Sequence, residues 1–215
     1  MPAGVRIGVV ADTHVGEFLE AVPAAVARAL SGCDLILHVG DLSGPGVIER
    51  LERIAPVVAV RGDHDLPGAP LLPHAAVIAV GGRRIGLIHG DRSPPVDASV
   101  VACGLIAGRD LGYRAGLARH LVRRLGPLDL IVHGHWHEPS LARIGSTLVF
   151  SPGAVCPWGS LEGGRDPRPG VAGIADRLVR RYRRLLGPEA MRPRVGIVEL
   201  GDGPIVARSV VLAVE

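Results

Sequence analysis

The 215-residue chain contains no lysine, no asparagine and no glutamine. Its 24 basic side chains other than histidine are therefore all arginine, set against 21 acids for a formal charge of +3. So small an excess argues against a protein built chiefly to hold a nucleic-acid backbone. The missing amides fit a GC-rich genome or a heat-adapted source and say nothing of function. Aromatics make up only 3% of residues, which disfavours an aromatic-rich binding module. The three cysteines, Cys33, Cys103 and Cys156, are widely spaced and odd in number, with no C-x-x-C. That excludes a disulfide framework, and they are expected to be reduced core or loop residues. No apolar run approaches the ~20 residues that a membrane-spanning helix needs. The start MPAGVRIGVV lacks a charged segment followed by a long apolar one, so a soluble, cytoplasmic protein is expected.

What the chain does have is aliphatic residues in strand-length runs. Residues 5–11, 34–39 and 57–61 read as strands, and 17–30 and 46–54 have helical spacing, with Pro23 delaying or kinking the first helix. This β-α-β-α-β order implies parallel strands with right-handed crossovers. Hairpins follow at 74–90, turning at Gly81-Gly82, at 141–151 and at 194–212. Between them lie a helical stretch over 97–125 and a buried strand at 129–134. Early βαβ units followed by hairpins predict an α/β fold of two packed sheets flanked by helices. One domain over 1–215 is expected, with an Arg-rich helical insertion at 159–193. Within it Ile174, Leu178, Tyr182 and Leu185 or Leu186 fall on one helical face. A solvated surface helix, a lid over the substrate and an oligomer contact all fit that pattern.

The acids and histidines cluster at strand ends. Asp12 and His14 follow the first strand, Asp41 the second, and Asp63, His64 and Asp65 the third. His89 ends the hairpin strand, and His133, His135 and His137 follow the next one. Carboxyl ends of parallel strands share one edge, so these five clusters should converge there. In an extended segment, i and i+2 project to one side, which pairs Asp12 with His14 and His135 with His137. Imidazole and carboxylate donors suit Mn, Fe, Zn, Co or Ni. Asp12, His14, Asp41, Asp63, His89, His135 and His137 are too many for one tetrahedral ion, but suit two ions that share a carboxylate.

D-T-H at 12–14, G-D at 40–41, G-D-H-D at 62–65, His89 and G-H-W-H at 134–137 together resemble the calcineurin-like metallophosphoesterases. In particular they resemble the small YfcE-like bacterial and archaeal phosphodiesterases. S-P-G-A at 151–154 is similar to a further turn of that family, and the likeness covers 5–157 and 194–212. It implies a four-layer α/β/β/α sandwich and a dinuclear site that hydrolyses a small phosphate ester, a diester more than a monoester. Asp12, His14 and His137 would hold one divalent ion; Asp63, His89 and His135 would hold the other, with Asp41 bridging. A metal-bridging hydroxide would attack phosphorus, with His64 as the general acid and Asp65 orienting it.

Three positions depart from the family pattern. Asp63 stands where relatives have Asn, and lowers the summed charge of two ions, three carboxylates and one hydroxide to about zero, against about +1. Tighter metal holding and weaker attraction for phosphate dianions are the expected consequences. Asp91 stands where relatives often have His, which points to substrate choice. Trp136 replaces the common Thr, either packing beneath the site or stacking on an aryl or nucleobase group. Two other functions compete with hydrolysis: a scaffold on the same fold, and a nuclease guided by Arg180, Arg181, Arg183 and Arg184.

Overall fold

The computed structural model describes residues 4–44, 46–65, 71–108, 113–156, 170–185 and 187–213. Two five-stranded sheets pack face to face. The first contains β1 (Val5–Val10), β2 (Leu35–His38) and β3 (Val57–Ala59), all parallel, with β9 (Arg194–Leu200) and β10 (Val206–Val211) added antiparallel in the order β10-β9-β1-β2-β3. The second runs β4-β5-β6-β8-β7 and contains β4 (Ala75–Val80), β5 (Arg83–Ile88), β6 (Leu130–Val132), β7 (Pro139–Ile144) and β8 (Thr147–Pro152). Its three central strands, β5, β6 and β8, are parallel.

Alternation of side chains along the strands decides the layers. Ile7, Val9 and Leu37 of the first sheet meet Ile85, Leu87, Leu130, Val132 and Phe150 of the second in the central core. Val10 and Ile36 point the other way, onto Val26 and Leu30 of α1 (Ala24–Leu30) and Leu51 of α2 (Val47–Glu52). Ile88, Ile131 and Val149 likewise face Val101 of α3 (Pro94–Ala107) and Leu117 and Leu121 of α4 (Tyr113–Leu125). Both sheets are thus buried on two faces, which is why their central strands read as continuous aliphatic runs. Gly8 lets α1 lie close on β1, since a Cβ there would stand 2.8 Å from Leu30 Cδ2.

The α/β/β/α sandwich expected from the strand order is therefore the observed fold. Differences lie at element ends. The first helix begins only at Ala24, after Pro23, and residues 16–18 form a single turn in which Glu17 N and Phe18 N donate to the His14 carbonyl. The helical stretch from 97 is longer than expected and starts at Pro94. Cys33 and Cys156 are buried, whereas Cys103 is exposed on α3. In the 159–193 segment, α5 (Gly170–Arg184) lies against α3, and residues 159–169 fall outside the described part. Its apolar residues do not share one covered face: Tyr182 is buried, whereas Ile174, Leu178 and Leu185 are exposed. No described helix is long and apolar enough to cross a membrane.

Candidate metal centre

The loops after β1, β2, β3, β5 and β6 meet at one edge of the sandwich and are tied together by backbone bonds. Asp12 N donates to Gly40 O at 3.1 Å, His14 N to Asp41 O at 3.0 Å, and Gly134 N to His89 O at 2.9 Å. The S-P-G-A turn after β8 closes the ring, with Val155 N donating to Ala11 O and Cys156 N to Asp12 O, each at 3.0 Å. Asp12, His14, Asp41, His135 and His137 all have φ between 47° and 72°. Left-handed backbone is costly for residues with a side chain and gathers at functional sites. This corrects the i, i+2 argument: the paired residues face one site because each is twisted into the left-handed region, and the segments are not extended. Two glycines make room. A Cβ at Gly62 would collide with the Asp41 carboxylate, and one at Gly134 would lie 2.7 Å from Asp12 Oδ2.

Four groups of donor atoms come within metal-binding reach of one another: Asp12/His14/His137, Asp63/His89/His135, Asp12/Asp41/His89 and His14/Glu17/His64. His14 Nε2 lies 3.3 Å from His137 Nε2, and His137 Nε2 lies 3.5 Å from Asp12 Oδ1. Asp63 Oδ1 stands 3.0 Å from His89 Nε2 and 3.2 Å from His135 Nδ1. Between the two groups, Asp41 Oδ2 is 3.5 Å from His14 Nε2 and 3.3 Å from His89 Nε2. Asp12, His14, Asp41, His89 and His137 are buried, and Asp63 sits at the rim with its side chain 41% exposed.

Neighbouring groups aim the donors. His89 Nδ1 donates to Val39 O at 2.8 Å, which leaves Nε2 facing the carboxylates. Asp12 Oδ1 accepts from His135 N at 3.1 Å and Asp41 Oδ1 from His64 N at 2.8 Å. Glu17 places its carboxylate 3.1 Å from both His14 Nδ1 and His64 Nδ1. Asp97 of α3 holds His135 Nε2 at 3.1 Å. Neither acid stood out in the sequence. Glu17 carried one weak signal, its place three residues after His14, and Asp97 carried none.

Charge in the site is finely balanced. Burial pushes the Asp12 carboxyl up to about 6. For Asp41 burial acts the same way, but His89 and His14 overcome it and hold the group low. The Glu17 bond raises His64 to about 9, with burial opposing. Burial opposes the charge on Glu17, yet the His14 and His64 bonds bring it down to about 2. Asp12 Oδ2 is buried without a hydrogen-bond partner, an expensive arrangement for a carboxylate. A divalent cation bound by Asp12, His14 and His137 would satisfy it, so the residues fit such an ion.

Other candidates are placed differently. Asp65 does not orient His64: its oxygens accept from Ser43 N at 2.8 Å and Gly62 N at 2.7 Å, bracing the two loops, and the His64 ring turns to Glu17. Two amide bonds fix the Asp65 carboxylate between the loops, and Glu17 takes the place beside the His64 ring. Trp136 is buried against Tyr182, and the His135 ring meets it edge-on, so its indole packs into the helix layer and does not face a ligand. Asp91 lies outside the donor groups, on a cleft next to them. His38 is fully buried, with Nε2 3.1 Å from Thr13 Oγ1. His133 is buried in the core beneath the loops.

A two-sheet sandwich with carboxylates and imidazoles at the strand ends defines the metallophosphoesterase class. The chain belongs to the calcineurin-like phosphoesterase superfamily, whose domain matches residues 5–173. A probable metallophosphoesterase of Methanothermobacter thermautotrophicus is 31% identical over 148 residues, covering 69% of this chain and 76% of that protein. Two solved structures share the fold at low identity. Vacuolar Protein Sorting 29 of Cryptosporidium parvum aligns with a TM-score of 0.60 at 18% identity, over 99% of this chain and 100% of that one. A novel archaeal phosphodiesterase aligns at 0.56 and 17%, over 97% and 100%.

Proposed function

We propose that this protein hydrolyses phosphate esters, diesters in preference to monoesters, with two divalent ions and His64 as proton donor. The observation that carries the reading is Asp41 Oδ2, within 3.5 Å of both His14 Nε2 and His89 Nε2, which joins two separate donor groups. Asp12, His14 and His137 would hold one ion and Asp63, His89 and His135 the other, whether Mn, Fe, Zn, Ni or Co. Two such ions, held by these residues, would supply a water-derived nucleophile near neutral pH and neutralise charge on the phosphoryl oxygens.

The chain's own residues do the rest. Glu17 keeps a proton on His64 and fixes the imidazole at the rim, with its side chain 22% exposed. A charged His64 can then protonate the departing oxygen. Asp65 holds the loop that carries Asp63 and His64 against Ser43. Asp63 supplies a third carboxylate, which reduces the positive charge that a dianionic monoester would meet and favours the singly charged diester. The whole chain is read as one domain with an insertion at 159–193, whose α5 packs on the helical side. Exposed Arg181 and Arg184 leave a nucleic-acid role as an outcome of the test.

Metal analysis with hydrolysis of bis-p-nitrophenyl and p-nitrophenyl phosphate tests this reading. Bound metal and faster cleavage of the diester are expected. His64→Ala should lower turnover roughly 10²-fold or more on esters with poor leaving groups. Metal bound without turnover on any ester would sink the hydrolase and leave a scaffold. Steeply salt-dependent cleavage of DNA or RNA would make it a nuclease.

A further inference from the structure

A cationic cleft of about 760 Å³ lies beside the metal centre, lined by Asp91, Arg92, Ser93, His120, Arg123 and Arg124 among others. Its volume is within the range of small-molecule sites, roughly 300–1,000 Å³. One wall is the segment that leads from His89 into α3, and the other is the face of α4 that carries Gly116, His120, Arg123 and Arg124. A single carboxylate joins the cleft to the donors. Asp97 Oδ1 accepts from Arg92 Nε at 2.9 Å, and Asp97 Oδ2 is 3.1 Å from His135 Nε2.

The charges of the cleft do not cancel. Asp97 balances Arg92, but among the described residues Arg123 and Arg124 have no ion-pair partner and Asp91 is the only acid in the lining. Two cations thus face one carboxylate. His120 registers this field: burial, then Arg92, Arg123 and Arg124, hold its imidazole below the usual range. The amino-terminal end of α3 contributes little, because Pro94 and Pro95 have no N–H to offer. Guanidinium groups that line one cleft are suited to phosphate oxygens, which they bind by charge-assisted, often bidentate hydrogen bonds.

We propose that this cleft binds a second phosphate of the substrate, so that the enzyme acts on phosphodiesters carrying a further phosphate besides the scissile one. The proposal rests on the phosphoesterase reading above and extends it to the substrate class. Asp91 limits the attraction and so tunes which anions are accepted.

Dinucleotides with and without a terminal phosphate test it in the metal-loaded protein. The kcat/KM of the terminally phosphorylated dinucleotide should exceed that of the plain one by about tenfold, the scale of one charge-assisted contact. In Arg123→Gln/Arg124→Gln that ratio should fall to near one, and in Asp91→Asn it should rise. A ratio, and not a rate, is read so that a general loss of folded enzyme leaves it unmoved. A wild-type ratio of one, or a ratio that survives the double substitution, overturns the proposal. If neither dinucleotide is cleaved, the phosphoesterase reading fails separately, and calorimetry then decides the cleft. About tenfold tighter binding of the phosphorylated form, lost in the double variant, supports it; equal affinities overturn it.

Discussion

Glu17 stands between two imidazoles, 3.1 Å from His14 Nδ1 and 3.1 Å from His64 Nδ1, and so couples a proposed ligand to the proposed acid. Its charge is what keeps His64 protonated, because the hydrogen bond outweighs the cost of burying an imidazolium. Glu17→Gln preserves an acceptor of the same shape and removes the charge. We expect cleavage of alkyl phosphodiesters to drop by roughly 10- to 100-fold near neutral pH, a fraction of a full general-acid contribution. Cleavage of nitrophenyl esters, whose leaving group needs no proton, should change little. An equal loss on both substrates would show Glu17 acting only through the fold. Asp63 makes a separate prediction. Its Oδ1 lies between His89 Nε2 and His135 Nδ1, so Asp63→Asn can still offer a carbonyl oxygen but not a charge. Affinity for one of two ions should weaken by about 10- to 100-fold, as for comparable changes around metal ligands. Stepwise metal titration by calorimetry measures it, and two unchanged affinities would refute the charge argument.

The loops and the elements behind them divide the work, and substitutions should separate the two. Leu30 of α1 is fully buried on the outer face of the first sheet and belongs to none of the donor groups. Leu30→Ala should cost about 2–5 kcal/mol of stability and leave metal affinity unchanged. Gly134→Ala puts a methyl 2.7 Å from Asp12 Oδ2 and 3.0 Å from Ala11 Cβ. It should cost about 1–3 kcal/mol and also weaken metal binding, because relief moves the Asp12 carboxylate. Urea unfolding and metal titration of both variants check the contrast. This division also explains what was legible in the sequence. The strands were readable because burial on both faces demands uninterrupted aliphatic runs, and Gly81-Gly82 marks its hairpin directly. The convergence of acids and histidines at one edge was readable because they recur after five strands of the two sheets. Glu17, Asp97 and the true partner of His64 were not, since each depends on how a loop folds back. The twisted backbone of Asp12, His14, His135 and His137 was hidden for the same reason, as residue type does not announce a positive φ. Tyr182 failed differently: helical spacing grouped it with Ile174 and Leu178, but the α3 side of the helix took the tyrosine and left the aliphatic pair exposed.

At the scale of the whole molecule, the histidines predict a stability maximum near pH 6.5 in the metal-free protein, and the sign can be worked out group by group. His38 is fully buried and its imidazole is pushed from 6.5 down to about 3 by burial. His133 is pushed down to about 4 for the same reason. Below pH 6.5 the unfolded chain therefore binds protons at these two positions that the native state refuses, and stability falls as pH drops. Asp12, raised to about 6, acts in the opposite sense between 3.8 and 6 and offsets one of them. From these three groups the net slope between pH 6 and 5 is close to one proton, or about 1.4 kcal/mol per pH unit, and it steepens below pH 5 as the unfolded chain protonates Glu17, held at about 2 in the native state. Above pH 6.5 the balance reverses. His64 keeps its proton to about 9 beside Glu17, so the native state holds more protons than the unfolded chain and loses stability as pH rises through that window. His89 and His135, both raised by their carboxylate partners against the effect of burial, add to the loss. Urea unfolding from pH 4 to 9 in the presence of a chelator should trace this maximum. His38→Gln leaves an amide able to reach Thr13 Oγ1 but unable to titrate, and should flatten the acid limb while leaving the alkaline limb in place. An acid limb unchanged by that substitution would mean that His38 takes up its proton in the native state and that the fold opens around it.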